Sequence, residues 1–271
     1  MNLINFDWTL LKEEIRKVWG RPVLEMAVGL IFLIALASVQ TVVEIMWLAN
    51  FQSTLNSLVI GAINKIVNSQ MTPLVIISGI LMALSFARDY EQGLMQTLFS
   101  LPVSRTSIFA VKFVAVVVPL SLLSWGITVF ILLLNFWSTA ASNLVVIQLA
   151  AWALPVTFFA VMFYAGLAAL IALALKKTIP TVLTSVIIGF VVSFMSALRS
   201  EMIGPLADYL VFSPYKAPIV TLERVLGVTK YDPGLETALP PWGFFLLIIF
   251  YAVVFLVPTY VYFTKRFEVK E

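Results

Sequence analysis

Six long apolar runs constrain this chain more than anything else in it: Val23–Val43, Thr72–Ala87, Ser107–Phe136, Leu144–Ala174, Ile179–Leu198 and Trp242–Phe263. A bilayer core is crossed by about 20 mostly apolar residues in a helix. The runs therefore predict an all-α polytopic membrane protein with six transmembrane helices, a single transmembrane domain over residues 1–271. Only 11% of the 271 residues are charged and 61% are apolar, against roughly 25% charged in a soluble domain. The second run is short and is expected to borrow its start from the segment before it. The fourth is long, with Pro155 as the expected bend; Pro119 and Pro258 offer similar points in the third and sixth.

Lysine and arginine set the direction. With the N-terminus inside, the inner segments hold Lys12, Arg16, Lys17, Arg21, Arg88, Arg105, Lys112, Lys176, Lys177, Lys265, Arg266 and Lys270, twelve of the 17. The outer loops hold Lys65, Arg199, Lys216, Arg224 and Lys230. This asymmetry predicts both termini and the Arg88–Arg105 loop in the cytoplasm of a multi-pass plasma-membrane protein, with Arg199–Pro241 outside. Single cysteines at Ser100 and Thr229 check it. An impermeant thiol reagent on intact cells is expected to label position 229 and spare position 100; the reverse pattern overturns the orientation. Val23–Ile34 followed by Ala35-Leu36-Ala37 has the look of a signal-peptide core. The long segment before it, with Asp7, Glu13 and Glu14, argues for a retained span.

Three segments between the runs have their own patterns. In residues 1–21, Phe6, Leu10, Leu11, Ile15, Val18 and Trp19 fall on one side of a helix. Lys12, Glu13, Glu14, Arg16 and Lys17 fall on the other, which predicts an amphipathic elbow helix in the headgroup layer. Asp7 is its expected N-cap and Gly20 its stop, with Pro22 opening the first span. Leu55–Val67 predicts a second amphipathic helix, either lying on the outer leaflet or extending the second span outward. Residues 199–241 carry Gly204-Pro205, Ser213-Pro214, Asp232-Pro233-Gly234 and Pro240-Pro241 around apolar runs such as Ile219–Val228. They predict an outer loop of short helices that caps or re-enters the membrane.

Several kinds of chemistry are missing. The chain has no cysteine and no histidine, so disulfides, thiol chemistry and the commonest metal ligands are excluded. No glycine precedes a lysine, hence no G-x-x-x-x-G-K-[ST] phosphate loop exists. Glu25 and Lys112 are the charges within the runs, both near the inner end. A charge at mid-membrane costs on the order of 2.5–3.5 kcal/mol, and coupled transporters accept that cost to carry ions. Glu13-Glu14 reads as a solvated pair on a surface helix. No nucleic-acid partner is expected.

The segment Arg88-Asp-Tyr-Glu-Gln-Gly-Leu-Met-Gln-Thr-Leu-Phe-Ser-Leu-Pro-Val-Ser-Arg105 is a polar-edged insert between two apolar runs. Asp89 and Glu91 stand before a helical stretch in which Leu94, Leu98 and Leu101 share a face, a placement the helix dipole favours. Gly93 permits a tight turn or a close approach, Pro102 ends the stretch, and Ser104 can cap the third span. Residues alone leave a capped connector and a docking helix both open.

This segment resembles the cytoplasmic loop of the type-two ATP-binding-cassette permeases, an exporter family with six spans per subunit. Their pattern of acid, x, Gly-Thr-Leu, x, x, Leu-Leu-Ser, x, Pro-Val-Ser-Arg and a later Lys is met by Glu91, Gly93, Leu98, Ser100, Pro102, Val103, Ser104, Arg105 and Lys112. It departs at Leu94, where Thr is common, and at Phe99, where Leu is. The layout of elbow, inner loop and large outer loop before the sixth span is also similar. The resemblance implies a permease that pairs with a second permease subunit, the same or homologous. It also implies separate ABC ATPase subunits docked on the elbow and the coupling helix, through Glu91, Gly93, Leu94, Leu98, Pro102 and Arg105. ATP and Mg are then expected on the partner, with no cofactor in this chain.

For a substrate pathway, the small polar residues Thr181, Thr184, Ser185 and Ser196 of the fifth run and Ser78 and Ser85 of the second are the candidates. The alternative is that they let membrane helices pack closely. Phe158, Phe159, Phe163 and Phe194 are expected to pack rather than form a ligand cage. Rival functions are a non-transporting membrane scaffold or assembly protein, and a membrane-embedded enzyme, for which no acid or metal cluster is evident.

Overall fold

A computed structural model of the chain describes residues 8–48, 55–140, 144–197, 212–225 and 240–266. Among these residues every regular element is helical, as backbone groups facing hydrocarbon require. α1 (Trp8–Val18) is followed by α2 (Arg21–Leu48) and α3 (Leu55–Met82). A π-turn over Ala83–Ala87 leads into α4 (Arg88–Glu91), and the short α5 is Leu94–Ser100. Then come α6 (Arg105–Ala140), α7 (Leu144–Leu175), α8 (Thr178–Ala197), α9 (Ala217–Val225) and α10 (Pro241–Val261), the last closed by a π-turn over Tyr262–Arg266.

Each of the six apolar runs is helical over its described residues. Four stretches are long and apolar enough to cross a membrane: Lys65–Glu91, Arg105–Leu134, Ala150–Leu175 and Trp242–Lys265. A fifth is reached if α1 and the start of α2, bent by 69°, count as one broken span. In α8 the stretch Thr178–Val191 is apolar but shorter. The second amphipathic stretch is not a separate surface helix: Leu55–Val67 is the first part of α3, which thereby gains the length its apolar run lacked. α6, α7 and α10 carry Pro119, Pro155 and Pro258 inside continuous helices.

α3 is the central helix. Its apolar stretch is 78% buried, against 22% for that of α10 at the periphery. α8 lies on α3 at small residues: a Cβ on Gly79 would stand 2.1 Å from Ser185 Cβ, and one on Gly189 3.0 Å from Ile76 Cγ1. Such close backbone approach is how membrane helices gain packing energy without a hydrophobic driving force. The opposite face of α8, with Ile179, Leu183, Ile187 and Phe190, is exposed. Phe158, Phe159 and Phe163 make ring contacts inside the bundle, whereas Phe194 is exposed.

Of the 199–241 segment, residues 212–225, Pro240 and Pro241 are described. α9 is its helix, held by Tyr215 Oη donating to the Asn68 carbonyl at 3.2 Å and Tyr251 Oη to the Phe212 carbonyl at 2.6 Å. Asp7 and Phe6 lie outside the described residues.

Candidate functional site

The insert between α3 and α6 is one folded structure. Asp89 and Glu91 do not open the α5 helix: they end the path that runs from α3 through the π-turn into α4. The N-cap of α5 is Gly93, at φ +71°. No atom lies within 4 Å of where its Cβ would be, so the glycine serves the left-handed turn rather than a close approach inside the chain. At the far end Ser104 Oγ accepts the Ser107 amide at 3.1 Å, the N-cap bond of α6.

The leucine face of α5 is divided. Leu94 and Leu101 are exposed, at 42% and 43%, with Gln96, Thr97, Ser100 and Pro102 beside them. The inward side is Met95, fully buried, with Leu98 and Phe99 packed against the core. Leu98 therefore does not share the exposed stripe with Leu94 and Leu101: it lies one turn from buried Met95, and Leu101 is the extended C-cap beyond the helix. Phe99 meets Phe263 at 5.7 Å, and the Arg105 guanidinium sits 4.7 Å over the Phe99 ring. Glu91 is exposed and accepts from Thr178 Oγ1 at 2.5 Å; Lys176 lies 4.7 Å over the Tyr90 ring. The α7–α8 joint thus touches the same loop.

Directly beneath α5 is a buried ion cluster. Lys112 of α6, 2% exposed in its side chain, pairs with Asp89 of α4 and with Glu14 Oε1 of α1 at 3.1 Å. Its third bond goes to the Ser85 carbonyl in the π-turn at 2.7 Å. An ammonium has three donors, and all three are used. Ser85 Oγ donates to Glu14 Oε1 at 2.7 Å, and Lys17 pairs with Asp89 and, at 3.4 Å, with Glu14. Two carboxylates meet two ammonium groups, so the cluster is neutral. Asp89 sits near the end of its helix, where the dipole disfavours an acid; the two lysines offset that. Partial burial lowers the Lys17 pKa, Lys112 lowers it further, and Glu14 and Asp89 pull it back up.

One sequence reading is corrected here. Glu14 is not solvated: it is 6% exposed and belongs to the buried side of α1 with Leu11 and Val18. Its register explains this, since position 14 lies one turn from both 11 and 18. Lys112, a charge near the inner end of its run, is the centre of the cluster.

α1 is fixed to α6 a second time. Trp19 Nε1 donates to the Ala115 carbonyl at 2.9 Å. In an α-helix that carbonyl would accept from residue 119, which is proline and has no N–H. The indole thus fills the gap that Pro119 leaves. Leu11 packs beside it against Val111 and Ala115.

The pathway candidates are placed as follows. Ser85 is in the ion cluster. Ser78 Oγ donates to the Val75 carbonyl at 2.9 Å, Thr181 Oγ1 to Lys177 at 2.7 Å and Ser185 Oγ to Thr181 at 2.9 Å, each within or next to its own helix. Thr184 is half-buried, and the side chain of Ser196 lies outside the described residues. An apolar cleft of about 320 Å³ lies between α6 and α7, lined by Val118, Leu122, Leu154, Pro155, Phe158 and Phe159 with Ser121, and includes none of these candidates. Deeper in the bundle Gln70 is bonded to Ser124 and, at 3.1 Å, to Thr128, a buried polar tie between α3 and α6 that sequence reasoning missed. Among the described residues no group of three or more acidic side chains is arranged to hold a metal ion.

Residues 10–196, more than half of the chain, match the family model described as ABC-2 family transporter protein. That stretch contains α1 from Leu10 onward, the whole α3–α6 insert and the ion cluster. Comparison with curated proteins gives no match.

Proposed function

The chain belongs to the ABC-2 transporter family, and from that premise we propose that it is the permease subunit of an ATP-driven exporter. Membership makes it a membrane transport component and implies association with an ABC ATPase subunit. In our reading six helices cross the plasma membrane with both termini cytoplasmic, and two permease subunits, the same or homologous, enclose the pathway. The ATPase carries ATP and Mg.

The observation that supports this reading best is the form of α5. It is a short helix whose inner side is anchored by Met95, Leu98 and Phe99 while Leu94 and Leu101 stay uncovered. A connector has no use for two uncovered leucines on a capped, buried-base helix; a partner surface does. Gly93, Pro102, Glu91 and Arg105 frame that face. Few charges in the spans suit an apolar or amphiphilic substrate.

The test is co-purification. The chain expressed with its ATPase is expected to form a complex with vanadate-sensitive hydrolysis, and alone to show none, since it lacks a phosphate loop. Hydrolysis by the single subunit, or failure to bind any ABC ATPase, would defeat the proposal.

A further inference from the structure

α1, the α4–α5 insert and the first turns of α6 come from three separate parts of the sequence, yet they converge on a few atoms. Lys112 alone bonds to all three partners: Glu14 of α1, Asp89 of α4 and the Ser85 carbonyl of the π-turn. The contact is polar, buried and stoichiometric, with every ammonium proton used. A half-satisfied version of such a network is worse than an apolar one, so its members hold together or separate together.

The second tie sets where this assembly ends. Trp19 reaches the Ala115 carbonyl, which Pro119 leaves without its helical donor. Up to that point α6 is clamped by α1 on one side and the insert on the other. Beyond it, the helix passes a proline, where kinks and bends concentrate. The π-turn at Ala83–Ala87 stands beside Lys112, inside the clamped part, through the Ser85 carbonyl, and such turns are frequent at functional sites.

We infer that Lys112 is a positioning residue that makes α1, the α4–α5 insert and residues 105–118 one rigid unit, hinged on the rest of α6 at Pro119. This inference rests on the ATP-driven reading for its purpose: motion delivered by the ATPase to α5 or to α1 enters the membrane as a single movement. An elbow and a coupling helix that moved separately would each dissipate part of it. With the network closed, a push on either is a push on both.

The chain contains no cysteine, so paired spin labels can be introduced without background. One pair, at Lys12 and Thr97, both exposed, spans the unit. A second, at Thr97 and Leu122, spans Pro119. In the full chain reconstituted in lipid nanodiscs, the first distance distribution is expected to be narrow and the second broad. Lys112→Met with Glu14→Gln keeps one acid and one lysine, so it stays charge-balanced; it is expected to lose the narrow Lys12–Thr97 distribution. Pro119→Ala is expected to narrow the Thr97–Leu122 distribution.

A Lys12–Thr97 distribution that stays narrow in the double variant overturns the role of Lys112. A Thr97–Leu122 distribution that is narrow from the outset, or indifferent to Pro119→Ala, overturns the hinge. Both arms use the chain alone, so they stand even if no ATPase binds, the result that would sink the exporter reading instead.

Discussion

Lys112→Ala is expected to lower the stability of the chain by about 3–5 kcal/mol, the cost of removing one partner from a buried ion pair. The side chain is 2% exposed and answers two carboxylates at once. Its loss leaves Asp89 and Glu14 buried with Lys17 as their sole cation, and it strips the Ser85 carbonyl of a donor. Removing a lysine and an acid together, as Lys112→Met with Glu14→Gln, leaves a balanced Lys17–Asp89 pair. That double variant is expected to lose less than Lys112→Ala alone, an inversion of additivity that only contacting groups show. Thermal unfolding in detergent, followed by the loss of a monodisperse species, measures both. If the single variant unfolds with the wild type, or if the double variant is worse than the single, the four side chains do not act as one electrostatic unit.

Helix positions were legible in the sequence because lipid leaves the backbone one local solution. All six apolar runs fall inside helices over their described residues, and the Ser104 cap and the glycine turn at position 93 follow from residue type alone. What sequence reasoning missed was the third dimension of the charges. Glu14 was assigned to the polar side of α1 because it is an acid between charged neighbours, although its spacing from Leu11 and Val18 places it on the buried stripe. Lys112, embedded between Val111 and Phe113, was an equally visible anomaly. Neither signal becomes a contact until it is known that α1 lies on α6 and that α4 ends beside both, a long-range fact that no local pattern carries.

The same limit divided the leucines of α5. Three leucines at spacings of four and three read as one face, whereas Leu98 lies one turn from Met95 on the inward side and Leu101 leaves the helix as its extended C-cap. The hydroxyls of Ser78, Thr181 and Ser185 tell a related story. As small polar residues they are pathway candidates in the sequence, and in the fold they bond to backbone carbonyls within or next to their own helices while Gly79 meets Ser185. Small polar residues in membrane helices read alike from sequence whether they line a path or close a gap.

Leu94→Asp combined with Leu101→Asp is expected to abolish binding of the ATPase while leaving the chain folded. Both side chains are more than two-fifths exposed, and substitutions of that kind away from special features typically change stability by no more than about 0.5 kcal/mol. In a docked complex the same positions would be covered, and truncating an interface residue that carries binding energy costs roughly 1 kcal/mol or more. Placing unpaired carboxylates there adds a desolvation cost on top of the lost contact. Charge changes alone are expected to do far less: Glu91→Arg alters an exposed contact of the sort worth about 0–1 kcal/mol. Leu98→Asp is the wrong test, since it would place an acid against Met95 and the core and damage the helix itself. The two leucine changes therefore separate docking from folding. An unchanged melting temperature with no co-purified ATPase is the expected pair of results. A double variant that still binds the ATPase and still supports its hydrolysis would reduce α5 to a link between α3 and α6, and the uncovered leucines would need another occupant.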